Sequence, residues 1–303
     1  MVPVLDEAER ARFRVEGYAI VPFLAPGEAD ALADELLVLA SDRSLDPADD
    51  PEAAGEAYHA SFMSADDLYR RAVAQLVRAR CATAASALLP GFSPVIAVAV
   101  IKAPFAGGAS FHSDLTIAAE PSTPVVNIWC PLVDSDDANG TLRVVPGSQR
   151  LFPHISSMET TSGFWRDYGA AMMERSVPVD LRRGEAVVYD GTLLHGSRPN
   201  ATLRARPALN FAFLPAGVRP VAYSLDPNFD GQRFEMFDMS GDALMAHGGK
   251  ALLSRQIRAP SLGFVTSPNR PRTLAEFDRR RRTLRARRAA GAFLSRFRER
   301  WGR

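Results

Sequence analysis

The sequence has few cysteines, no long apolar run and no apolar leader at its start. Two cysteines in 303 residues, Cys81 and Cys130, are too few for a disulfide scaffold or a cysteine-based zinc site. No stretch reaches the roughly 20 apolar residues that a membrane-spanning helix needs. The first ten residues include four charged ones, so we expect no signal peptide. These absences favour a cytoplasmic protein without a membrane span.

The charge of the chain is nearly balanced in total but unevenly distributed. The net charge is +1, yet residues 270–303 contain thirteen arginines and only three acidic residues. We expect a single domain over 1–270 and a basic C-terminal helix over 271–303, its helical pattern running from Phe277 to Trp301. Solvent exposure is the simpler interpretation of this helix, and contact with an acidic surface or a carrier protein is the alternative. Nucleic-acid binding is not expected, and the oligomeric state cannot be read from the sequence.

Helical patterns come first in the chain, and short strands follow them. The helices are predicted at Leu5–Arg14, Ala25–Ala40 and Asp66–Leu89, with a strand at Tyr18–Phe23. Later apolar runs, separated by Gly, Pro, Asn and Asp, predict strands at Val95–Lys102, Val125–Leu132, Thr141–Val145, Ala186–Tyr189 and Ala208–Leu214. We therefore expect a mainly β protein with flanking helices (α+β). Its double-stranded β-helix core (jelly-roll or cupin-like, about 92–215) is buttressed by the N-terminal helices.

Three residues that can bind a metal, His112, Asp114 and His195, have a spacing that indicates one shared site. His112 and Asp114 are two residues apart, and on a strand this spacing points both side chains to one face. His195 ends a later β-rich run, and a barrel brings such strand ends to one mouth. Two imidazoles and one carboxylate form the facial triad that binds Fe(II) in non-haem oxygenases and leaves positions open. The other histidines, His59, His154 and His247, have no comparable context.

An arginine follows the last of these residues at a suggestive distance. Arg206 lies eleven residues after His195, at the start of another β-rich run. If 2-oxoglutarate binds iron through its 2-oxo acid end, its distal carboxylate needs a counter-charge, and the planar guanidinium pairs with carboxylate in bidentate fashion. Arg204 is the near rival, and the spacing favours Arg206.

Several motifs in this order resemble the phytanoyl-CoA dioxygenase family of Fe(II)- and 2-oxoglutarate-dependent oxygenases. The matching segments are His112-Ser-Asp114, Trp129-Cys-Pro-Leu-Val-Asp, Asn139-Gly-Thr-Leu142, Pro146-Gly-Ser-Gln149, Gly184-Glu185 leading to His195-Gly-Ser197, and Asn200 followed by Arg206. The resemblance covers roughly residues 10–215. It departs from the family pattern at Gln149, where histidine is usual, but that position is not a metal ligand.

The resemblance implies roles for individual residues. His112, Asp114 and His195 match the iron ligands, and Arg206 matches the partner of the distal carboxylate of 2-oxoglutarate. Ser197 is expected as a second hydrogen-bond donor, Trp129 as a wall of the co-substrate pocket, and Lys102 as a weaker match in the same pocket. The implied cofactors are Fe(II), 2-oxoglutarate as co-substrate and O2.

The resulting hypothesis is a dioxygenase that hydroxylates an unactivated C–H bond of a small molecule and releases succinate and CO2. A bacterial specialised metabolite or an amino-acid-derived intermediate is the expected substrate, contacted by segments 117–124 and 154–175. The retained carboxylate of Asp114 disfavours halogenation, whereas desaturation, epimerisation and ring formation stay open. A catalytically silent jelly-roll binding protein and a cupin-type enzyme without 2-oxoglutarate are the alternatives from other classes.

Overall fold

A computed structural model describes residues 4–41, 58–151, 155–160, 167–229, 232–267 and 273–284. The helices are α1 (Glu7–Glu16), α2 (Pro26–Ala40), α3 (Asp67–Leu88), α4 (Gly169–Arg175), α5 (Ala243–Leu253) and α6 (274–284). The strands are β1 (Tyr18–Pro22), β2 (His59–Ala60), β3 (Phe92–Lys102), β4 (Ala109–His112), β5 (Val126–Pro131), β6 (Leu142–Val144), β7 (Val177–Pro178), β8 (Glu185–Asp190), β9 (His195–Ser197), β10 (Arg206–Pro215), β11 (Val221–Leu225), β12 (Arg233–Asp238) and β13 (Ser261–Thr266).

Capping residues set the limits of the N-terminal helices. The Asp6 carboxylate accepts a hydrogen bond from the Glu9 N–H, and the Glu9 side chain accepts from the Asp6 N–H, which closes a capping box on α1. The helix ends at Gly17, whose φ of 89° suits a residue without a Cβ. Asp66 caps α3 in the same way by accepting from the Tyr69 N–H. The three helices expected from the sequence are confirmed.

Two antiparallel sheets form the core of the fold. The major sheet has six strands in the order β1-β8-β5-β10-β3-β2, and the minor sheet has four in the order β4-β9-β6-β7. Every pairing between these strands is antiparallel. The expected jelly-roll core with buttressing N-terminal helices is confirmed, and each strand predicted between 92 and 215 is present.

The major sheet is buried on both faces, and alternate residues of each strand divide the faces between them. On β5, Ile128 and Cys130 pack into the large cluster that also holds the leucines of α2 and the apolar face of α3. The alternate residues of the strand, Asn127 and Trp129, face the minor sheet. The same alternation puts Phe211 on the helical side of β10 and Arg206 on the inner side. Polar inner positions therefore converge between the sheets.

The region after Pro215 adds structure that the sequence did not reveal. Strands β11, β12 and β13 form a third antiparallel sheet, with α5 packed beside it. The first part of the expected basic helix is α6, and it docks on the domain: Phe277 is fully buried, and Asp278 accepts two hydrogen bonds from Arg175 at 2.8 and 2.6 Å. The remainder of the predicted helix lies outside the described residues. The domain boundary at 270 stays a prediction.

No helix among the described residues is long and apolar enough to cross a membrane.

Candidate active site

Two histidines of the minor sheet stand opposite each other at one end of the space between the sheets. His112 on β4 is the register partner of His195 on β9, and their rings lie 4.3 Å apart between centroids. Gly196 permits this close pairing, because a Cβ there would lie 2.9 Å from the Ala109 carbonyl oxygen. The Nδ1–H groups of His112 and His195 donate to backbone carbonyls at 2.7 and 3.0 Å. In the neutral imidazole with its proton on Nδ1, Nε2 is the atom that can bind a metal.

The carboxylate of Asp114 completes the group, although it does not lie on a strand. Strand β4 ends at His112, and the Asp114 N–H donates to the Gly191 carbonyl at 3.1 Å instead of to β9. The i, i+2 spacing correctly predicted that His112 and Asp114 point to the same place, but the expectation that both lie on a strand was wrong. Oδ1 of Asp114 lies 4.0 Å from Nε2 of His112 and 3.8 Å from Nε2 of His195.

The second oxygen of Asp114 is held by two neighbours in the major sheet. The Tyr189 hydroxyl donates to Oδ2 at 2.8 Å, and the Asn127 amide also donates to Oδ2. Both donors come from inward-facing positions, on β8 and β5 respectively. Burial and the adjacent Asp114 carboxylate raise the pKa of Tyr189 well above its ordinary value, so the phenol stays a donor. One carboxylate oxygen is thereby fixed, and the other faces the two histidines.

These three side chains suit a metal ion. Among the described residues, His112, Asp114 and His195 form the one group of three potential ligands, with their donor atoms within 4.8 Å of one another. Ligand histidines usually donate their other N–H to a carbonyl or carboxylate, and ligand carboxylates are themselves hydrogen-bonded. Both conditions are met here without an ion. Two imidazoles with one carboxylate form the set that non-haem Fe(II) enzymes use, with positions left open for other ligands.

The turn at Pro146-Gly147-Ser148 supports the His195 strand. Oγ of Ser148 accepts from the Leu194 N–H at 2.8 Å, and the Val145 N–H donates to the Leu194 carbonyl at 2.8 Å. This architectural role agrees with the turn chemistry expected of the motif. Gln149, the position that departs from the family pattern, packs against Gly17 and lies outside the cavity.

Two buried cations stand side by side at the other end of the same space. Arg206 and Lys102 are register partners on β10 and β3, and they are 2% and 1% exposed. Lys102 donates through Nζ to the Ser197 hydroxyl at 2.7 Å and to the Arg198 carbonyl. Within the described residues, Nε and Nη1 of Arg206 have no hydrogen-bond partner although both atoms are buried. Arg204, the rival in the sequence, is exposed.

The electrostatics of this pair call for an anion. Burial, and then the charge of Arg206, lower the pKa of Lys102 to about 7. Burial also lowers the pKa of Arg206 to about 10. Among the described residues that line the space around the two cations, there is no aspartate or glutamate. A buried charge without a counter-ion is destabilising, so a carboxylate placed between these groups is strongly favoured.

Trp129 and Ser197 border the same pair. The Arg206 guanidinium lies 5.2 Å from the centroid of the Trp129 ring, within the range of a cation–π contact. Oγ of Ser197 accepts from Lys102 and, at 3.2 Å, from the Ala109 N–H, which leaves its own hydrogen available to a further acceptor. Their contacts with a co-substrate stay predictions.

One cleft, partly open to solvent, joins the triad to the cation pair. The side chains around it are Tyr58, Val100, Lys102, Ala109, His112, Trp129, Leu142, Tyr189, His195, Ser197, Arg206 and Asn210. The site residues expected from the sequence therefore meet in one place.

Sequence reasoning missed four of the polar groups at this site, namely Tyr58, Asn127, Tyr189 and Asn210. Three of them carried a usable signal. Asn127 precedes Trp129 by two residues, and Asn210 follows Arg206 by four, so strand alternation puts each on the inner face of its strand. Tyr189 interrupts an aliphatic strand just before Asp190. Tyr58 carried no such signal, because the residues preceding it show no pattern of their own.

The remaining histidines lie elsewhere or outside the description. His59 is paired with the Tyr69 hydroxyl at 2.6 Å, and Nε2 of His247 accepts from the Arg258 N–H at 3.0 Å. His154 lies outside the described residues, and so do residues 161–166 of the expected substrate segment 154–175. Segment 117–124 is described, and the Val221 N–H donates to the Ile117 carbonyl at 3.0 Å.

Comparison with known proteins identifies relatives of this arrangement. The family model for phytanoyl-CoA dioxygenase (PhyH) matches residues 13–208. The multifunctional dioxygenase ausE of Emericella nidulans is 34% identical over 104 residues, which cover 33% of each protein. The matches thus span only about a third of the length of such curated relatives.

Two solved structures from nogalamycin biosynthesis share the fold. The carbocyclase SnoK is 17% identical, with 72% of this chain and 87% of SnoK covered at a TM-score of 0.51. The epimerase SnoN, crystallised with Fe3+, α-ketoglutarate and nogalamycin RO, is 20% identical, with 71% and 85% covered at a TM-score of 0.50. At these identities the likeness establishes the fold alone.

Proposed function

This chain belongs to the phytanoyl-CoA dioxygenase family, and we propose that it is an Fe(II)- and 2-oxoglutarate-dependent dioxygenase. It hydroxylates an unactivated C–H bond of a small molecule and releases succinate and CO2. The observation that carries the proposal is the pairing of two complementary sites in one cleft. A three-ligand group stands at one end, and at the other stands a buried arginine with two donors that no described residue pairs.

The triad residues hold the metal. His112 and His195 offer Nε2, and Asp114 offers Oδ1, while the atoms on their far sides are bound to the protein. When bound, iron with 2-oxoglutarate supplies the O2-dependent oxidation. The protein contributes orientation, because the ligand rings and the carboxylate are held before any ion arrives.

The cation pair holds the co-substrate. Arg206 receives the distal carboxylate of 2-oxoglutarate through Nε and Nη1, the two donors that have no hydrogen-bond partner in the described part of the chain. Lys102 adds a second positive charge from the neighbouring strand, and Ser197 adds a hydroxyl held by Lys102. The 2-oxo acid end of the molecule then points towards the triad, because the cleft joins the two ends.

The substrate class is the finer part of the proposal. We propose a specialised-metabolite intermediate, of bacterial origin, or an amino-acid derivative. The names of the relatives support a natural product: several are dioxygenases described as multifunctional, and structures of the same fold act in nogalamycin biosynthesis. Epimerisation or ring formation instead of hydroxylation would leave the oxygen content of the substrate unchanged, so product mass separates these outcomes.

The decisive experiment follows the co-substrate. The purified protein is supplied with Fe(II), ascorbate, 2-oxoglutarate and O2, and succinate is measured with and without a metabolite extract. We expect succinate from the wild type and a loss of more than about 100-fold for Asp114→Ala, since even outer partners of a metal site contribute 10- to 100-fold in metal affinity. Asp180→Ala, at an exposed position, is the matched control.

Three results would overturn the proposal. An Asp114→Ala protein that binds iron and turns over like the wild type would refute the metal site. A folded wild type that binds neither iron nor 2-oxoglutarate would favour a silent binding protein. Iron-dependent turnover without 2-oxoglutarate would favour a cupin-type enzyme.

A further inference from the structure

A tyrosine outside the family-like motifs stands beside the cation pair. Tyr58 lines the cleft together with Lys102 and Arg206. It immediately precedes the short edge strand β2, whose register with β3 pairs His59 with Ile101 and Ala60 with Val100. Continuing that antiparallel register by one residue puts Tyr58 opposite Lys102.

The sheet thereby aligns three polar side chains across neighbouring strands. Arg206 on β10 is paired with Lys102 on β3, and Tyr58 follows on the side of β2. Residues directly opposite each other in an antiparallel sheet project from the same face. The three side chains consequently share the inner face, at the end of the cleft away from the triad. The charge state of Arg206 also responds to Tyr58: burial lowers the pKa of the guanidinium, and the Tyr58 phenol opposes that shift.

The backbone around Tyr58 is fixed from two directions. On the opposite face of the strand, His59 makes its 2.6 Å hydrogen bond with Tyr69 of α3. Two residues further on, the buried Ser61 hydroxyl accepts from the Ala99 N–H at 3.0 Å. Tyr58 is therefore held against β3 by contacts of its neighbours, which suits a residue that must present its hydroxyl at a set place.

Tyr58 lies at the edge of the major sheet. Among the described residues, β2 is the last strand of that sheet and lies beside β3, which carries Lys102. Lys102 is nevertheless only 1% exposed. A half-buried phenol in this position excludes water from the cations and adds a neutral donor beside them. Hydrogen bonds to a carboxylate gain strength where water is excluded.

We propose that Tyr58 is a co-substrate-binding residue whose hydroxyl donates a hydrogen bond to the distal carboxylate held by Arg206 and Lys102. This inference rests on the proposed function, since it assumes that the anion is 2-oxoglutarate. It adds to that function an anchor from the edge strand β2, outside the segments in which the family motifs lie.

The test measures binding directly and compares two ligands. Calorimetry of the Fe(II)-loaded protein without O2 gives dissociation constants for 2-oxoglutarate and for 2-oxopentanoate, which has a methyl group in place of the distal carboxylate. We expect Tyr58→Phe to weaken 2-oxoglutarate binding about tenfold, as for loss of a hydrogen bond to a charged group. Binding of 2-oxopentanoate should be unchanged.

The matched control is Tyr18→Phe, which removes a hydroxyl bound to Arg12 and not at the cleft. It should leave both dissociation constants unchanged. A wild type that fails to bind 2-oxoglutarate would remove the proposed function itself. Wild-type binding with an unchanged Tyr58→Phe variant would remove only the role of Tyr58. Equal weakening of both ligands by Tyr58→Phe would also refute it, because the effect would then come from shape and not from the carboxylate.

Discussion

The two ends of the cleft are prepared for their ligands in opposite ways. At the triad, the atoms that face away from the cleft are satisfied: both Nδ1–H groups reach carbonyls, and Oδ2 of Asp114 receives two donors. At the other end, Arg206 keeps two buried donors without a partner within the described residues, and Lys102 lies beside it. The first end has its geometry in place, and the second has an excess of positive charge.

The difference teaches what each ligand contributes to the protein. A metal ion finds ligands that are already oriented, so its binding requires little rearrangement. A dianion instead neutralises charges whose burial destabilises the ligand-free protein. Because a ligand that binds only the folded state adds stability, 2-oxoglutarate should stabilise this protein more than the contact area alone suggests.

The largest expected effect at the cation end comes from removing Arg206. Arg206→Met should weaken 2-oxoglutarate binding by about 100-fold or more, since truncating one partner of a buried charge pair costs about 2–5 kcal/mol. The same change should raise the melting temperature of the ligand-free protein, because an unpaired buried charge has been removed. Calorimetry and thermal unfolding measure the two effects. Arg204→Met is the control, because Arg204 is exposed. It should change neither the affinity for 2-oxoglutarate nor the melting temperature.

A lower melting temperature for ligand-free Arg206→Met would contradict the comparison between the two ends. It would mean that Arg206 already stabilises the empty protein through its contact with Trp129, and that the cleft has no charge to neutralise.

The sequence predicted the fold well where burial produced strong patterns. Strands β5, β8 and β10 and the second half of β3 are largely buried on both faces, so each reads as an apolar run between turn residues. The sheet β11–β13 escaped prediction because it is partly exposed: along β13 only Gly263 and Val265 are partly buried, and the other four residues are exposed. Exposed strands carry mixed residues and give weak signals.

The site was predicted to the extent that its chemistry is local in sequence. His112, Asp114, His195 and Arg206 stand in recognisable spacings, and the structure brings them to one cleft. Tyr58 is brought there because the two-residue edge strand β2 pairs with β3. No local pattern in the sequence predicts that pairing. Contacts between distant segments depend on sheet order, which the sequence of a single chain does not display.

A second prediction concerns the pH dependence of 2-oxoglutarate binding, which should come from the cation end of the cleft. Lys102 has a pKa lowered to about 7 in the free protein, and a bound carboxylate must raise it. Below pH 7 the lysine is already protonated, so the affinity for 2-oxoglutarate is constant. As the pH rises above 7, binding must take up a proton, and the affinity falls by up to about tenfold per pH unit. Calorimetry of the Fe(II)-loaded protein from about pH 6 to about pH 9 measures how the affinity for 2-oxoglutarate changes with pH.

The control replaces the titrating group. Lys102→Met should bind 2-oxoglutarate more weakly than the wild type at neutral pH, with no loss of affinity as the pH rises further. An unchanged slope in Lys102→Met would assign the proton uptake to another group. A flat profile in the wild type would mean that Lys102 does not face the anion.

The smallest expected effect concerns support of the triad from behind. Phe277 of α6 is fully buried in a cluster with Phe111 and Leu194, the residues that precede the ligands His112 and His195. Phe277→Ala should therefore loosen the strands that carry both imidazoles and weaken metal binding several-fold, less than the 10- to 100-fold expected of a direct outer partner. Equilibrium titration with Fe(II), well below the unfolding temperature, measures it.

The third sheet offers a matched comparison for Phe277. Phe234 is also fully buried and lies outside the family-matched residues, but its cluster with Val221 and Tyr223 has no member next to a ligand. Each phenylalanine-to-alanine change should destabilise the fold by about 3–5 kcal/mol. If only Phe277→Ala weakens metal binding, α6 takes part in orienting the triad. The three ligands are then held in place by packing against α6 as well as by the hydrogen bonds around Asp114. If both variants weaken it equally, the loss reflects general destabilisation, and α6 has no particular role at the metal end.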